Sequence, residues 1–246
     1  MIESVDYEQI AQIYDSGRFV PLDRIEGWRD VLAVYLDSGI VLDLGSGTGL
    51  FSEALVTWFE VSVIGVEPSD AMRERAATKG LDRVTYLPGS AEELPLDAHS
   101  VDAAWLSTVI HHIPDLALCA RELRRVLRPG APVLIRNSFS GRFDGIHWLR
   151  YFPAARSLAS RRWPTVDAVA KTLATAGFEV ETLTTVPETI ADDLDAYAQR
   201  IGTRANSTLR LIDDAEFERG MARLRADARG GSSEPVTDCR DLLVLR

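Results

Sequence analysis

The chain has 246 residues, 46% of them hydrophobic, which is enough for one large α/β domain with its own core. Its formal net charge of −10 argues against general nucleic-acid binding, which needs basic surface to neutralise phosphates. No apolar run approaches the roughly 18 residues of a membrane helix, Glu3 and Asp6 do not fit a basic-then-apolar leader, and two cysteines make neither a disulfide scaffold nor a zinc site. A cytoplasmic protein without membrane or nucleic-acid partners is the expectation.

In chain order, strand patterns alternate with helical ones, as in βαβ units of a mostly parallel sheet. A helix is predicted over about 21–37, then a strand Ile40–Leu44, a helix over 49–59 and a strand Val61–Val66. A helix over 69–79 and strands Val84–Leu87 and Val101–Leu106 follow. Next comes a helix over 115–128, with Leu116, Ala120, Leu123 and Leu127 on one face and Asp115 as its cap. Cys119 falls in that helix as a small core residue. Strand Pro132–Asn137 precedes segment 138–164, which holds six aromatic residues but no sustained period. A helix over 165–176, stopped by Gly177, leads to strand Glu179–Val186. A polar helical stretch over 191–228 contains a capping-box-like start at Asp213 and Glu216, and the last strand is Asp241–Leu245. No internal repeat appears, and residues 1–246 read as one domain.

The densest signal is Val41-Leu42-Asp43-Leu44-Gly45-Ser46-Gly47-Thr48-Gly49, a strand running into a glycine turn. The following strand ends in Glu67. Glycines let the backbone reverse and approach a ligand closely, and an acid one strand later accepts hydrogen bonds from ribose hydroxyls. The dinucleotide fingerprint needs a third glycine where this chain has Leu50, and no Walker-type Gly-Lys-Ser/Thr follows. The pattern resembles motif I of the class I S-adenosylmethionine-dependent methyltransferases. Glu67-Pro68-Ser69-Asp70-Ala71-Met72 resembles their motif II. Pro88–Pro95 resembles their adenine-contacting segment, Val101–Ser107 their strand four, and Leu127-Arg128-Pro129-Gly130 with Pro132–Ile135 the helix-turn-strand that closes the core. The resemblance runs over roughly residues 1–190.

That resemblance implies a doubly wound, Rossmann-like α/β fold. Its seven-stranded, mostly parallel sheet has the last strand antiparallel between strands five and six. It also implies S-adenosyl-L-methionine as cofactor and acceptor-covering elements at about 1–37 and 138–164. In the family's terms Asp43 approaches the cofactor's amino group, and Gly45, Ser46 and Gly47 admit its methionine part. Glu67 takes the ribose, Pro68 and Met72 pack on the adenine, and Ser90, Ala91 and Glu92 meet the adenine edge. Ser107 faces the methionine moiety, and Tyr14 on the N-terminal helix joins the cofactor site. Met72 is equally readable as a core residue of its helix.

A general base is needed only if the acceptor arrives protonated. His112, just after strand four, is read as a cofactor or acceptor contact or as that base. His147, among aromatics and arginines, is the other base candidate or else a loop histidine. From Arg136 to Arg162 six arginines face one acid, Asp144, a local net of +5. They are read either as solvated surface or homodimer contact, or as a site for an anionic acceptor. The chain has Ser107-Thr108-Val109-Ile110 where enzymes that methylate exocyclic amines carry Asn/Asp-Pro-Pro-Tyr. The resulting expectation is metal-free methyl transfer to an oxygen, nitrogen or carbon of a small molecule, with secondary metabolism as one setting. The rivals are a relative that binds the cofactor but catalyses a non-methylating step such as a cyclisation, a nicotinamide oxidoreductase, and a non-catalytic scaffold.

Overall fold

The computed structural model describes residues 21–231 and 233–246. Seven strands, β1 (Ser38–Leu44), β2 (Glu60–Val66), β3 (Val84–Leu87), β4 (Ala103–Ser107), β5 (Val133–Asn137), β6 (Val180–Ala191) and β7 (Val236–Leu245), lie side by side in the order β3-β2-β1-β4-β5-β7-β6. The first five pair in parallel, and β7 runs antiparallel to both β5 and β6. This is the expected doubly wound sheet, with the last strand inserted as the resemblance implies.

Side chains alternate across a strand, so a sheet covered on both faces must be apolar at successive positions. The central strands meet that condition. Leu42, Leu44, Ala104, Leu106, Val133, Ile135, Leu243 and Leu245 join one core. There they meet α4 (Leu116–Val126) through Cys119, Ala120 and Leu123, and α6 (Val166–Ala174) through Val169 and Leu173. The alternate residues Val41, Val63, Ala103, Trp105, Leu134 and Val244 face the other way. They pack on α1 (Gly27–Leu32) through Trp28 and Leu32, and on α2 (Leu50–Trp58) through Phe51 and Leu55. Trp105 sits at the centre of this layer, 5.7 Å from the Trp28 ring and 4.9 Å from Phe51. Burial pushes the Cys119 thiol up to about 12, as suits an inert core residue.

The predicted caps are present. Asp115 Oδ1 accepts from the Leu118 amide at 2.9 Å, and Asp213 Oδ1 from the Glu216 amide at 2.7 Å. Ser69 caps α3 (Asp70–Ala77) in the same way.

Three expectations need correction. The helix expected over 21–37 is a short 3-10 turn (Leu22–Ile25) followed by the six residues of α1. The polar helical stretch expected over about 191–228, with one start at Asp213, divides into three helices, α7 (Leu194–Gly202), α8 (Ser207–Arg210) and α9 (Asp214–Arg229). Asp193, Asn206 and Asp213 each cap one start, and side chains that bond local backbone favour such starts over continuation. Segment 138–164 contains a 3-10 turn (His147–Arg150) and α5 (Pro153–Arg162). Its small buried residues Ala155 and Ala159 leave little apolar periodicity to read.

These last elements form a second core beside the sheet. Phe143, Trp148, Phe152, Tyr197, Leu209, Phe217 and Met221 pack together over the ends of β6 and β7. The sheet ends therefore face a separate apolar cap, and a cavity lies where the two meet. Among the described residues, no helix is long and apolar enough to cross a membrane.

Candidate functional site

The glycine turn closes β1 onto β2. The Gly45 amide donates to Val66 O at 2.8 Å, and Gly45 (φ +72°) and Gly47 (φ +53°) both sit in the left-handed region. A Cβ at Gly45 would lie 2.5 Å from Val109 Cγ2, on the loop after β4, so this glycine permits close packing. A Cβ at Gly47 would meet nothing within 4 Å, so this glycine opens the turn towards a ligand.

Glu67 stands at the end of β2, buried. Its Oε2 accepts from the Gly47 amide and its Oε1 from the Ser69 amide, both at 3.0 Å. The two amides fix the carboxylate between the glycine turn and the start of α3. Asp43, at the end of β1, is also buried, and its Oδ2 accepts from Ser52 Oγ at 2.6 Å. Burial raises its pKa to about 7; the Ser52 hydrogen bond opposes the shift and the nearby Glu67 charge adds to it.

The Asp43 shift has a consequence for stability. An unfolded Asp43 loses its proton near 3.8, whereas the folded one holds it to about 7. Between those values the native state binds the extra proton, so stability is highest at the acid end of the window and falls as pH rises towards 7. Thermal unfolding followed from about pH 5.5 to 7.5 should show this loss, at up to about 1.4 kcal/mol per pH unit for one proton. Asp43→Asn should flatten that slope.

Two cavities open from the turn. One, of about 350 Å³, is lined by Glu67, Pro68, Met72, Ser90, Ala91, Glu92 and His112. The other, of about 220 Å³, is lined on one side by Asp43, Ser46 and His111, and on the other by residues of the second core and the ends of β5, β6 and β7. Gly45, Gly47, Ser107 and Thr108 line both. The structure thus brings together every predicted site residue except two. Tyr14 lies outside the described residues.

His147 is the other, and its expected place beside the reaction is corrected. It lines neither cavity. Its amide donates to Asp238 Oδ1 at 2.7 Å, and its ring packs 5.8 Å from Tyr151 and 5.2 Å from Tyr197. Burial, then the neighbouring Arg150, push its pKa down. The histidine that lines the second cavity is His111, its ring 4.0 Å from that of His112 and tilted by 44° to it.

The arginine-rich stretch is dispersed rather than focused. Arg142 pairs with Asp241, Arg150 with Asp227, and Arg156 covers the Phe143 ring. Only Arg136 among the six lines the second cavity, and it is held by Glu188. Its Nε and Nη2 donate to the Glu188 carboxylate at 2.7 and 2.6 Å, and Trp28 Nε1 donates to the same carboxylate at 2.7 Å. Arg136 Nη1 also donates to Ser107 Oγ at 3.1 Å and Thr108 Oγ1 at 2.9 Å, and its carbonyl accepts from the Thr108 amide. Thr108 has φ +58°, a costly conformation for a β-branched residue. The Arg136–Glu188 pair therefore grips a strained residue at the junction of the two cavities.

Residues 42–135 match the methyltransferase domain family. An uncharacterised methyltransferase of Mycobacteroides abscessus is 36% identical over 146 residues, 56% of this chain and 54% of its own length. The 27-O-demethylrifamycin SV methyltransferase of Amycolatopsis mediterranei is 28% identical over 201 residues, 76% of this chain and 71% of its own. A solved candidate methyltransferase from an antibiotic biosynthesis pathway of Anabaena variabilis superposes with a TM-score of 0.72 at 23% identity, covering 92% of this chain and 98% of that one. The domain match, the relatives and the fold together support a class I S-adenosylmethionine-dependent methyltransferase. The chain spans about half the length of several curated relatives that it matches.

The cofactor of this methyltransferase family is S-adenosylmethionine, and the first cavity fits it. The opening at Gly47, the buried acid at Glu67, and the Pro68 and Met72 walls suit a nucleoside. The sequence alone did not point to Glu188, Asn137, Tyr197, Asp238 or Arg240 as cavity residues, and offered Arg136 only as one of six arginines. One trace of them is legible afterwards. Asp238 and Arg240 stand two apart on β7, so they face the same side.

Proposed function

We propose that this protein transfers a methyl group from S-adenosylmethionine to a small-molecule acceptor held in the second cavity. The observation that carries the reading is that the two cavities share Gly45, Gly47, Ser107 and Thr108. A nucleoside in one cavity and an acceptor in the other would meet at that wall. When bound, the cofactor supplies an electrophilic methyl group on a positively charged sulfur.

The chain's own residues have the remaining tasks. Glu67 accepts hydrogen bonds from the ribose hydroxyls, Pro68 and Met72 sandwich the adenine side, and Ser90, Ala91 and Glu92 border its edge. Asp43 and Ser46 line the second cavity just past the shared wall, where with Ser107 they would meet the amino group and methionine part of a cofactor whose nucleoside fills the first. His112 borders the cofactor cavity. His111, rather than His147, is the histidine placed to take a proton from an acceptor. Closing the acceptor against the strained junction supplies proximity, which accounts for much of the rate in such a displacement. A relative named for methylating 27-O-demethylrifamycin SV, and a neighbour from an antibiotic pathway, support a tailoring step in secondary metabolism.

Titration calorimetry with S-adenosylmethionine, S-adenosylhomocysteine and NAD tests the reading. Micromolar binding of the first two alone is expected. Acceptor-dependent release of S-adenosylhomocysteine then separates methyl transfer from a cyclisation on the same fold. Binding of NAD in their place would overturn the assignment.

A further inference from the structure

The wall of the acceptor cavity opposite the glycine turn carries a polar set that methyl transfer itself does not use. β7 lies three strand spacings from β1 across the sheet, about 14 Å away. Asp238 and Arg240 on β7 line the cavity there, together with Tyr197 on α7. Tyr197 is fully buried, and its hydroxyl has no hydrogen-bond partner. Asp238 is buried too, with one carboxylate oxygen on the His147 amide and the other 3.4 Å from Arg240 Nη2. A second buried polar atom on this cavity also lacks a partner: Asn137 Oδ1, whose Nδ2 donates to Ser138 O at 2.7 Å. Buried polar atoms without a protein partner are rare in folded proteins, and one that lines a cavity can take its partner from whatever occupies that cavity.

We propose that Tyr197, Asn137 and the Asp238–Arg240 pair form an anchoring subsite for an uncharged polar group of the acceptor, a hydroxyl or an amide carried on an apolar or aromatic body. The inference rests on the methyl-transfer reading above. A hydroxyl both donates and accepts, so it can satisfy the Tyr197 hydroxyl as well as Asn137 Oδ1, which only accepts. An anionic group would face Asp238 and that same carbonyl oxygen. A cationic group would face Arg240. With both signs 3.4 Å apart, either ion meets a like charge in a buried setting. Trp148, Trp163 and Ile190 line the rest of this wall and suit a flat apolar body. The arginines of segment 136–162 thus do not make this a site for anions.

Three probes that differ only in the polar group test this: 2-naphthalenemethanol, 2-naphthoate and 2-(aminomethyl)naphthalene. Each is titrated by ligand-observed NMR into the full chain saturated with S-adenosylhomocysteine. The alcohol is expected to bind at least about tenfold more tightly than either ion, the scale of leaving one buried polar group unpaired. Tyr197→Phe should weaken the alcohol about fivefold, leave the two ions unchanged and leave S-adenosylhomocysteine affinity unchanged. An ion that binds as tightly as the alcohol, an alcohol indifferent to Tyr197→Phe, or failure of all three probes while S-adenosylhomocysteine binds would each overturn the subsite. Failure of S-adenosylhomocysteine to bind at all would instead overturn the methyl-transfer reading beneath it.

Discussion

Glu188→Ala is expected to destabilise the protein by about 3–5 kcal/mol, the usual result of removing one partner of a buried ion pair. The carboxylate is almost inaccessible and accepts from three directions: Arg136 Nε, Arg136 Nη2 and Trp28 Nε1. Its loss leaves a guanidinium in a low-dielectric layer without its counter-charge and strands the indole N–H. The double variant Arg136→Met/Glu188→Leu removes both charges and should recover most of that stability, because apolar replacement of a buried pair is often neutral. It should not recover turnover, since Ser107 and Thr108 would lose their grip. Denaturant unfolding of the single and double variants, beside their turnover, checks both halves. A single variant as stable as the parent would mean that the pair contributes nothing to the fold.

Glu67→Ala is expected to weaken S-adenosylhomocysteine binding by about 1–3 kcal/mol, the range for losing hydrogen bonds to a charged group. That is roughly a fivefold to 150-fold rise in Kd. Two effects act together. The ribose loses its acceptor, and the Gly47 and Ser69 amides lose the oxygens that hold the turn against α3. Glu67→Gln keeps one accepting oxygen and should fall between parent and alanine variant. Calorimetric Kd values settle the order, and an alanine variant with parental affinity would remove Glu67 from the ribose.

What was legible in the sequence was local. Glycine turn, following acid and helix caps act over a few residues, and the two-sided burial of the central strands follows from their unbroken apolar runs. The acceptor side was not legible, because it is made by partners far apart in the chain. Arg136 meets Glu188 fifty-two positions on, and His147 meets Asp238 after ninety-one. Nothing near Arg136 says whether its guanidinium will be solvated, paired or offered to a ligand. His147 looked like a base because its own segment is aromatic and cationic; the tyrosine and carboxylate that enclose it come from α7 and β7. Strand ends were missed for a related reason. β6 runs on to Ala191 and β7 begins at Val236, where the inward positions include the buried polar residues Glu188 and Asp238, which break the apolar pattern.

The insertion of β7 between β5 and β6 also dictates an order of assembly. As the chain leaves the ribosome, the parallel strands β1 to β5 are complete by Asn137 and can close the nucleoside-binding half. β6 touches no strand but β7, so it must wait through the whole helical stretch from Ala191 to Val236 before it has a neighbour. Until then the outer edge of β5 is bare, and a bare edge is a template for wrong partners. The half that holds the cofactor is therefore born early and locally. The half that lines the second cavity is born late, from long-range pairings.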